Sequence, residues 1–314
     1  MSDDQRRHQV FRSCLYVPGH HPDRIARAYA TEADAVILDL EDAVPAAQKL
    51  EAREIVAEAI TSPASKPTYV RVNSMSSGLC EDDVRAVAGT GLAGIRMAKV
   101  GSPDEVRRVA DILRELRHPA KIHVLIESAG ALERAFALAT ASPAVTMLGL
   151  GESDLRADLN TTAEGPTMDA SRARVITAAR AAGLPNPCQS VYAEPRDLRG
   201  LLVTSKHGRR LGFLGRMAIH PAQIPIIHDV YTPTMDEIDD ALEICAAVDL
   251  AAMESRSIII TAQGKMVGPP ALARAKQVLE LANALNLITG FAWPVDQGET
   301  SESVSNTRNK GGSS

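Results

Sequence analysis

Eight short apolar runs punctuate the first 220 residues, and each leads through a turn into a segment with helical periodicity. They are SCLYVPG (13–19), AVILDLED (35–42), YVRVN (69–73), GIRMAKV (94–100), KIHVLIES (121–128), VTMLGLGESDL (145–155), CQSVYAE (188–194) and GFLGRMAIH (212–220). Runs this continuous read as strands buried on both faces, as in parallel sheets covered by helices. The segments between them carry helix signals. In QKLEAREIVAEAIT, residues Leu50, Ile55, Val56 and Ile60 form an apolar face at helical spacing. SPDEVRRVADILREL opens on a Ser-Pro-Asp-Glu start signal, and SRARVITAARAAG stops at a glycine. Eight strands in β–α order predict an α/β chain closed as a (β/α)8 TIM barrel over 12–235. An open doubly wound sheet would instead place a Gly-rich phosphate loop after its first strand. The turn there, VPGHHPDR, has one glycine.

Two further helical segments, around 236–255 and 270–286, are joined by SIIITAQGKMVGPP. They read as an appended C-terminal helical extension over 236–287, not an independent domain. Residues 1–11 read as an N-terminal tail, and the polar, Gly/Ser-rich stretch 288–314 as a disordered one. With 45% hydrophobic but only 3% aromatic residues, Val, Ile, Leu and Ala must fill the core. A net charge of −5, without a basic stripe and interleaved aromatics, argues against nucleic-acid binding. No run of about 18 apolar residues suggests a membrane span, and the first residues do not read as a signal peptide. Cys14, Cys80, Cys188 and Cys245 lack metal-ligand spacing and read as reduced thiols, which points to a cytoplasmic protein.

A charge inside a buried run needs a reason, and in such barrels the C-terminal strand ends build the site. Arg71, Glu127 and Asp154 stand in that position. Glu127 and Asp154 are 154 − 127 = 27 residues apart, about one βα unit, so they should meet on neighbouring strands at one rim. Two hard oxygen ligands with open positions suit Mg²⁺ better than Zn²⁺, since no His or Cys shares the spacing. Each carboxylate could equally cap the following helix or pair with an arginine. Arg71, between Val70 and Val72, should point into the barrel mouth and bind a carboxylate or a developing enolate oxygen bidentately. Alternatively it pairs with Glu41 or Asp42, which would also hold it in place. Asp39, Glu41 and Asp42 are too close to remain unbuffered, and Lys49 or Arg71 is the expected cation. Lys99, at the end of the fourth run, is expected in the same supporting network. His220, alone before a proline, reads as structural.

The blocks RSCLYVPG, ADAVILDLEDAV, YVRVNS, AKVGSPDEV, IESAGAL, GESDLRADL, GFLGRMAIHPAQI and QGKMV follow one another in this order. Together, across residues 11–287, they resemble the HpcH/HpaI aldolase superfamily in its citrate lyase β-subunit-like branch. RVNSMSSGLCEDD is especially similar to citramalyl-CoA lyase-type members. The resemblance implies a (β/α)8 barrel, trimeric or a multiple of three, with one Mg²⁺ held by Glu127 and Asp154. It implies that Arg71 and Glu127 contact the substrate, that Tyr16 lies along a thioester, and that Arg24 and Arg27 meet coenzyme A phosphates. The implied reaction cleaves or condenses a short 3-hydroxyacyl-CoA, such as citramalyl-CoA or malyl-CoA, through an enolate.

The chain departs from that pattern twice. Many relatives follow GKM[IV] with an aspartate that a neighbouring subunit supplies as acid/base; this chain has Gly268. Glycine transfers no proton, so water or a nearby carboxylate such as Glu41 must stand in, which makes Arg71 and Glu41 the catalytic candidates. Otherwise the scaffold serves as a thioester hydrolase, a 2-oxo acid aldolase or a non-catalytic binding subunit. The second departure is Ser153, where many relatives carry Glu.

Overall fold

All eight apolar runs contribute parallel strands in the computed structural model, which describes residues 11–254 and 259–288. The strands are β1 (Ser13–Pro18), β2 (Ala35–Asp39), β3 (Thr68–Val72), β4 (Leu92–Met97), β5 (Lys121–Ile126), β6 (Val145–Leu150), β7 (Cys188–Gln189) and β8 (Gly215–Ala218). Their order is β6-β5-β4-β3-β2-β1-β8-β7, so β1 pairs with both β2 and β8. This is a nearly closed (β/α)8 barrel, with β6 and β7 adjacent but not laddered. The seventh run is much shorter as a strand, two residues, than its seven-residue length suggests. Pro185 and Pro187 precede it without amide donors, and the Ser190 carbonyl accepts from the Arg216 side chain at 3.2 Å.

The connecting helices are α1 (Pro22–Tyr29), α2 (Lys49–Ala59), α3 (Cys80–Ala86), α4 (Pro103–Glu115), α5 (Ala129–Glu133), α6 (Ala135–Ala139), α7 (Glu152–Asp158), α8 (Pro166–Ala181), α9 (Leu198–Leu211) and α10 (Ile224–Tyr231). Helix α4 begins as its sequence requires, with Pro103 in the first turn followed by Asp104 and Glu105 at the positive end of the dipole. On α2 the buried stripe is Ala52, Val56 and Ile60, one residue every four. Leu50, expected on that face, is 63% exposed. It lies two residues from Ala52, about 200° around the helix, and so faces water.

Strand alternation divides the core into two layers. Val36, Leu38, Val70, Val72, Ile95 and Val124 point outward against the helices and are fully buried. Each such side chain stabilises the fold by about 1.5–3 kcal/mol. Inside the barrel, Phe11, Cys14, Ile37, Tyr69, Met147 and Met217 form a plug. The four cysteines are buried and free.

The chain divides into two compact units after Thr232. The second contains α11 (Met235–Met253), a hairpin of β9 (Ile259–Ile260) and β10 (Met266–Val267), and α12 (Pro269–Ala284). Helix α11 starts with a capping box between Thr234 and Glu237. Ile238, Ala241 and Cys245 pack against Ala275, Leu279 and Ala282. Residues 1–10 and 289–314, which hold most of the two expected tails, lie outside the described residues. No helix among the described residues is long and apolar enough to cross a membrane.

Candidate active site

The C-terminal ends of β2, β3 and β4 carry an alternating array of charge. Asp39, 1% exposed, receives Arg71 through Nε at 2.7 Å and Nη2 at 2.5 Å, a bidentate fork. The same carboxylate accepts the amides of Glu41 and Ala43. Arg71 Nη1 lies 3.2 Å from Glu41 Oε2. Glu41 in turn takes the Lys99 ammonium at 2.5 Å, and Lys99 also reaches Asp42 at 2.8 Å. Three carboxylates therefore share two cations. Burial raises the Glu41 pKa, and Lys99 and Arg71 counter this only in part. Arg71 does form the anticipated ion pair, with Asp39 and Glu41 as partners, while Asp42 goes to Lys99. Among the described residues Lys49 neutralises no carboxylate directly; it donates to the carbonyls of Leu40 and Glu41, both at 2.9 Å.

Glu127, just beyond β5, is 6% exposed. Its Oε2 accepts the Lys99 amide at 2.6 Å. Lys99 has φ 52°, a left-handed conformation that costs a side-chain-bearing residue about 1–2 kcal/mol and here turns its amide toward the carboxylate. Burial is the main reason that the Glu127 pKa rises to about 7; Asp154 and Glu41 push the same way against the Lys99 amide and Arg71. Space for Glu127 comes from Gly151, where a Cβ would sit 2.4 Å from Glu127 Cγ and Oε1. Asp154 lies in the first turn of α7. Neither its carboxylate nor Glu127 Oε1 takes a hydrogen bond among the described residues.

These side chains open onto a cavity of about 310 Å³ within the barrel mouth. Its wall includes Glu127, Asp154, Arg71, Asp39, Tyr16 and Arg24. Tyr16 lies beneath two guanidinium groups, with Arg71 5.1 Å and Arg96 5.9 Å from its ring centroid. Arg27, on the exposed side of α1, pairs with Asp23 and does not line the cavity. Glu41 is also absent from the wall, because its oxygens are engaged with Lys99, Arg71 and the Asp42 amide. His220 accepts the Ala222 amide at a turn, the structural role its sequence context suggests.

Sequence reasoning missed Arg96, which is 2% exposed and on the cavity wall. It sits inside the apolar run GIRMAKV, so the rule that singled out Arg71 applied to it as well. A second signal was the spacing of Gly149, on β6, and Gly151, just beyond it. The first leaves room for Arg96, whose Nη2 would be 2.6 Å from an added Cβ, and the second leaves room for Glu127.

Among the described residues no three His, Cys, Asp or Glu side chains converge as a metal cage. Two carboxylates with unengaged oxygens remain at one rim. That suits Mg²⁺, which binds through one or two carboxylates and keeps waters, and does not suit a tetrahedral Zn²⁺ site.

Known proteins resemble this chain in sequence and in fold. The family model described as HpcH/HpaI aldolase/citrate lyase matches residues 12–221. The citrate lyase subunit beta of Escherichia coli (strain K12) is 33% identical over 292 residues, covering 88% of this chain and 95% of that protein. The (3S)-malyl-CoA thioesterase of Cereibacter sphaeroides is 32% identical over 279 residues, with 88% and 95% covered. The crystal structure of CitE from Mycobacterium tuberculosis with magnesium, acetoacetate and coenzyme A aligns with a TM-score of 0.72 at 29% identity, over 88% of this chain and 99% of that one.

Proposed function

Because the chain belongs to the HpcH/HpaI aldolase/citrate lyase family, we propose that it is a Mg²⁺-dependent carbon–carbon lyase. It acts on a short 3-hydroxyacyl-CoA such as citramalyl-CoA or malyl-CoA, by cleavage or by the reverse condensation. One observation carries this reading: Glu127 and Asp154 share a cavity wall with an Arg71 whose guanidinium is already held by Asp39.

In cleavage, the bond between the hydroxyl-bearing carbon and the thioester α-carbon breaks. Its electrons pass to the thioester as an enolate, the hydroxyl loses its proton and becomes a keto group, and the α-carbon then takes a proton. No redox partner is needed. Glu127 and Asp154 would hold Mg²⁺, which when bound supplies Lewis-acid stabilisation to the acid's oxygens. Arg71 stabilises developing negative charge from a fixed position, so little reorganisation is needed as the charge appears. The Tyr16 ring supports that guanidinium from below, and Arg24 at the rim is placed to meet an anionic part of coenzyme A. The proposal includes a cytoplasmic homo-oligomer, a trimer or a multiple of three, in which the segment 236–287 completes a neighbour's site.

A second reading, thioester hydrolysis, is favoured by Gly268. That residue has an ordinary extended conformation, φ −114° and ψ 171°, and an added Cβ would meet only Pro270 Cδ at 3.7 Å. Neither backbone nor packing therefore demands glycine where the usual acid/base aspartate would stand. Incubation with citramalyl-CoA and malyl-CoA, in Mg²⁺ or in EDTA, with products identified by mass spectrometry, separates the two. Mg²⁺-dependent acetyl-CoA with pyruvate or glyoxylate is the expected result. Free coenzyme A would establish the hydrolase, and unchanged substrates would refute both.

A further inference from the structure

Cleavage ends with a proton on the thioester α-carbon, so a group on the cavity wall must hold a transferable proton. No histidine or cysteine among the described residues lines that wall. Five carboxylates do, and each has another task. Asp39 is held by the Arg71 fork, Asp42 by Lys99 and Glu152 by Arg172, while Glu127 and Asp154 are the Mg²⁺ ligands of the proposed function. Ser153 and Ser190 bear aliphatic hydroxyls, far weaker acids than a phenol, whose ordinary pKa is about 10. Tyr16 remains.

Its hydroxyl is arranged as a donor. Arg96 Nε carries a single hydrogen and gives it to the Tyr16 oxygen at 2.7 Å, so the phenolic proton points elsewhere. Among the described residues that proton meets no acceptor, and Tyr16 lines the cavity. Arg96 itself is 2% exposed, its Nη1 is buried without a partner, and no carboxylate forms an ion pair with it among the described residues. A guanidinium buried in this way is costly, and an apolar residue of similar size would fill the space without that cost. Gly149 nevertheless keeps its place open. A cation whose hydrogen bond goes to a phenol stabilises the phenolate, the form left behind when the proton is given away. Burial raises the Tyr16 pKa, helped by Asp39 from β2, while Arg96 from β4 and Arg71 from β3 act against it. The hydroxyl thus keeps its proton at neutral pH, the form that cleavage requires.

We propose that Tyr16 is the general acid/base of the reaction, and that Arg96 positions it and stabilises its phenolate. This deepens the proposed function and rests on it. In cleavage the hydroxyl-bearing carbon becomes a keto group as the carbon–carbon bond breaks, and the hydroxyl proton passes to water. The electron pair of the broken bond forms the enolate, whose α-carbon takes the Tyr16 phenolic proton. The phenolate, held by Arg96 Nε, regains a proton from water, so none is consumed overall. In condensation the phenolate removes the α-proton instead. The role that Gly268 cannot fill is then supplied from within the same barrel.

Two measurements on the full-length protein test this. The first is steady-state cleavage of malyl-CoA and citramalyl-CoA in Mg²⁺. Tyr16→Phe keeps the ring beneath Arg71 and removes only the hydroxyl; kcat should fall about 10²- to 10⁴-fold with KM within about threefold. The second places fluorotyrosine at position 16, which makes the phenol more acidic and keeps its hydrogen bond to Arg96. Its fluorine resonance, followed against pH in EDTA, reads the phenol's titration without turnover. The fall of kcat at high pH should track that titration and come at lower pH than in the wild type. Arg96→Met should raise the phenol's proton affinity about tenfold or more and lower kcat about 10- to 100-fold. If Tyr16→Phe does not fold, the fluorotyrosine protein carries the comparison. A Tyr16→Phe kcat within about threefold of the wild type, or a high-pH fall that ignores the fluorine, overturns the assignment of Tyr16 alone. A fluorine titration unmoved by Arg96→Met overturns the role of Arg96. If the wild type cleaves neither ester in Mg²⁺, the lyase reading falls, and this assignment with it.

Discussion

Replacing Glu127 by Gln should stabilise the protein while removing its hold on Mg²⁺, and the stability gain should depend on pH in a defined direction. Burial, helped by Asp154 and Glu41, lifts the pKa of this carboxyl from 4.5 to about 7 in the folded protein. Below pH 4.5 both folded and unfolded chains hold the proton, and the group is neutral in its effect. Between 4.5 and 7 the unfolded chain releases its proton first, so the folded state binds more protons and stability falls as pH rises. Above 7 the cost is complete. At about 1.4 kcal/mol for each tenfold change in proton affinity, it amounts to about 3 kcal/mol. Glutamine bears no charge at any pH and keeps an acceptor for the Lys99 amide. Urea unfolding in EDTA at pH 5 and pH 8 reads the difference. The variant's advantage should widen by about 2.5 kcal/mol over that interval. Mg²⁺ should restore stability to the wild type at pH 8 and do nothing for the variant. An advantage that stays constant with pH would refute the reasoning.

Three further outcomes are expected. Gly151→Ala puts a methyl 2.4 Å from Glu127 Cγ and Oε1, so the carboxylate must move; Mg²⁺ affinity should fall about 10- to 100-fold, and an unaltered titration would show that Glu127 is not a ligand. Arg71→Lys keeps the charge but loses the fork to Asp39, and kcat/KM should drop about 10²- to 10³-fold. Arg71→Met should in addition cost about 3–5 kcal/mol in urea unfolding, because Asp39 is left buried and unpaired; a lysine variant with full activity would remove Arg71 from the chemistry. Gly268→Asp fits without strain at the N-cap of α12, where it should add a few tenths of a kcal/mol. If the missing aspartate limits the lyase, the rate should rise by up to about 10²- to 10⁴-fold, and no gain would count against that account.

Much of this protein could be read from its residues because burial on both faces of a strand writes itself as a continuous apolar run. That is why eight runs in β–α order, several of them broken by a charge near the C-terminal end, were enough to bring Arg71, Glu127 and Asp154 together at one rim. The 27-residue interval between the two carboxylates worked for the same reason, since each βα unit advances the chain by one strand. Partner choice within the charge array was not legible. Arg71 found Asp39 and Glu41, Lys99 took Asp42, and Lys49 turned to carbonyls, because such pairing depends on distances between strands that local sequence does not encode. Arg96, between Ile95 and Met97 and in register with Arg71, was as legible as Arg71 itself; local sequence does not encode that its Nη1 is buried without a partner. Periodicity along one strand thus determined where charge would accumulate, while the packing of neighbouring strands decided which charges are neutralised and which are left facing the cavity.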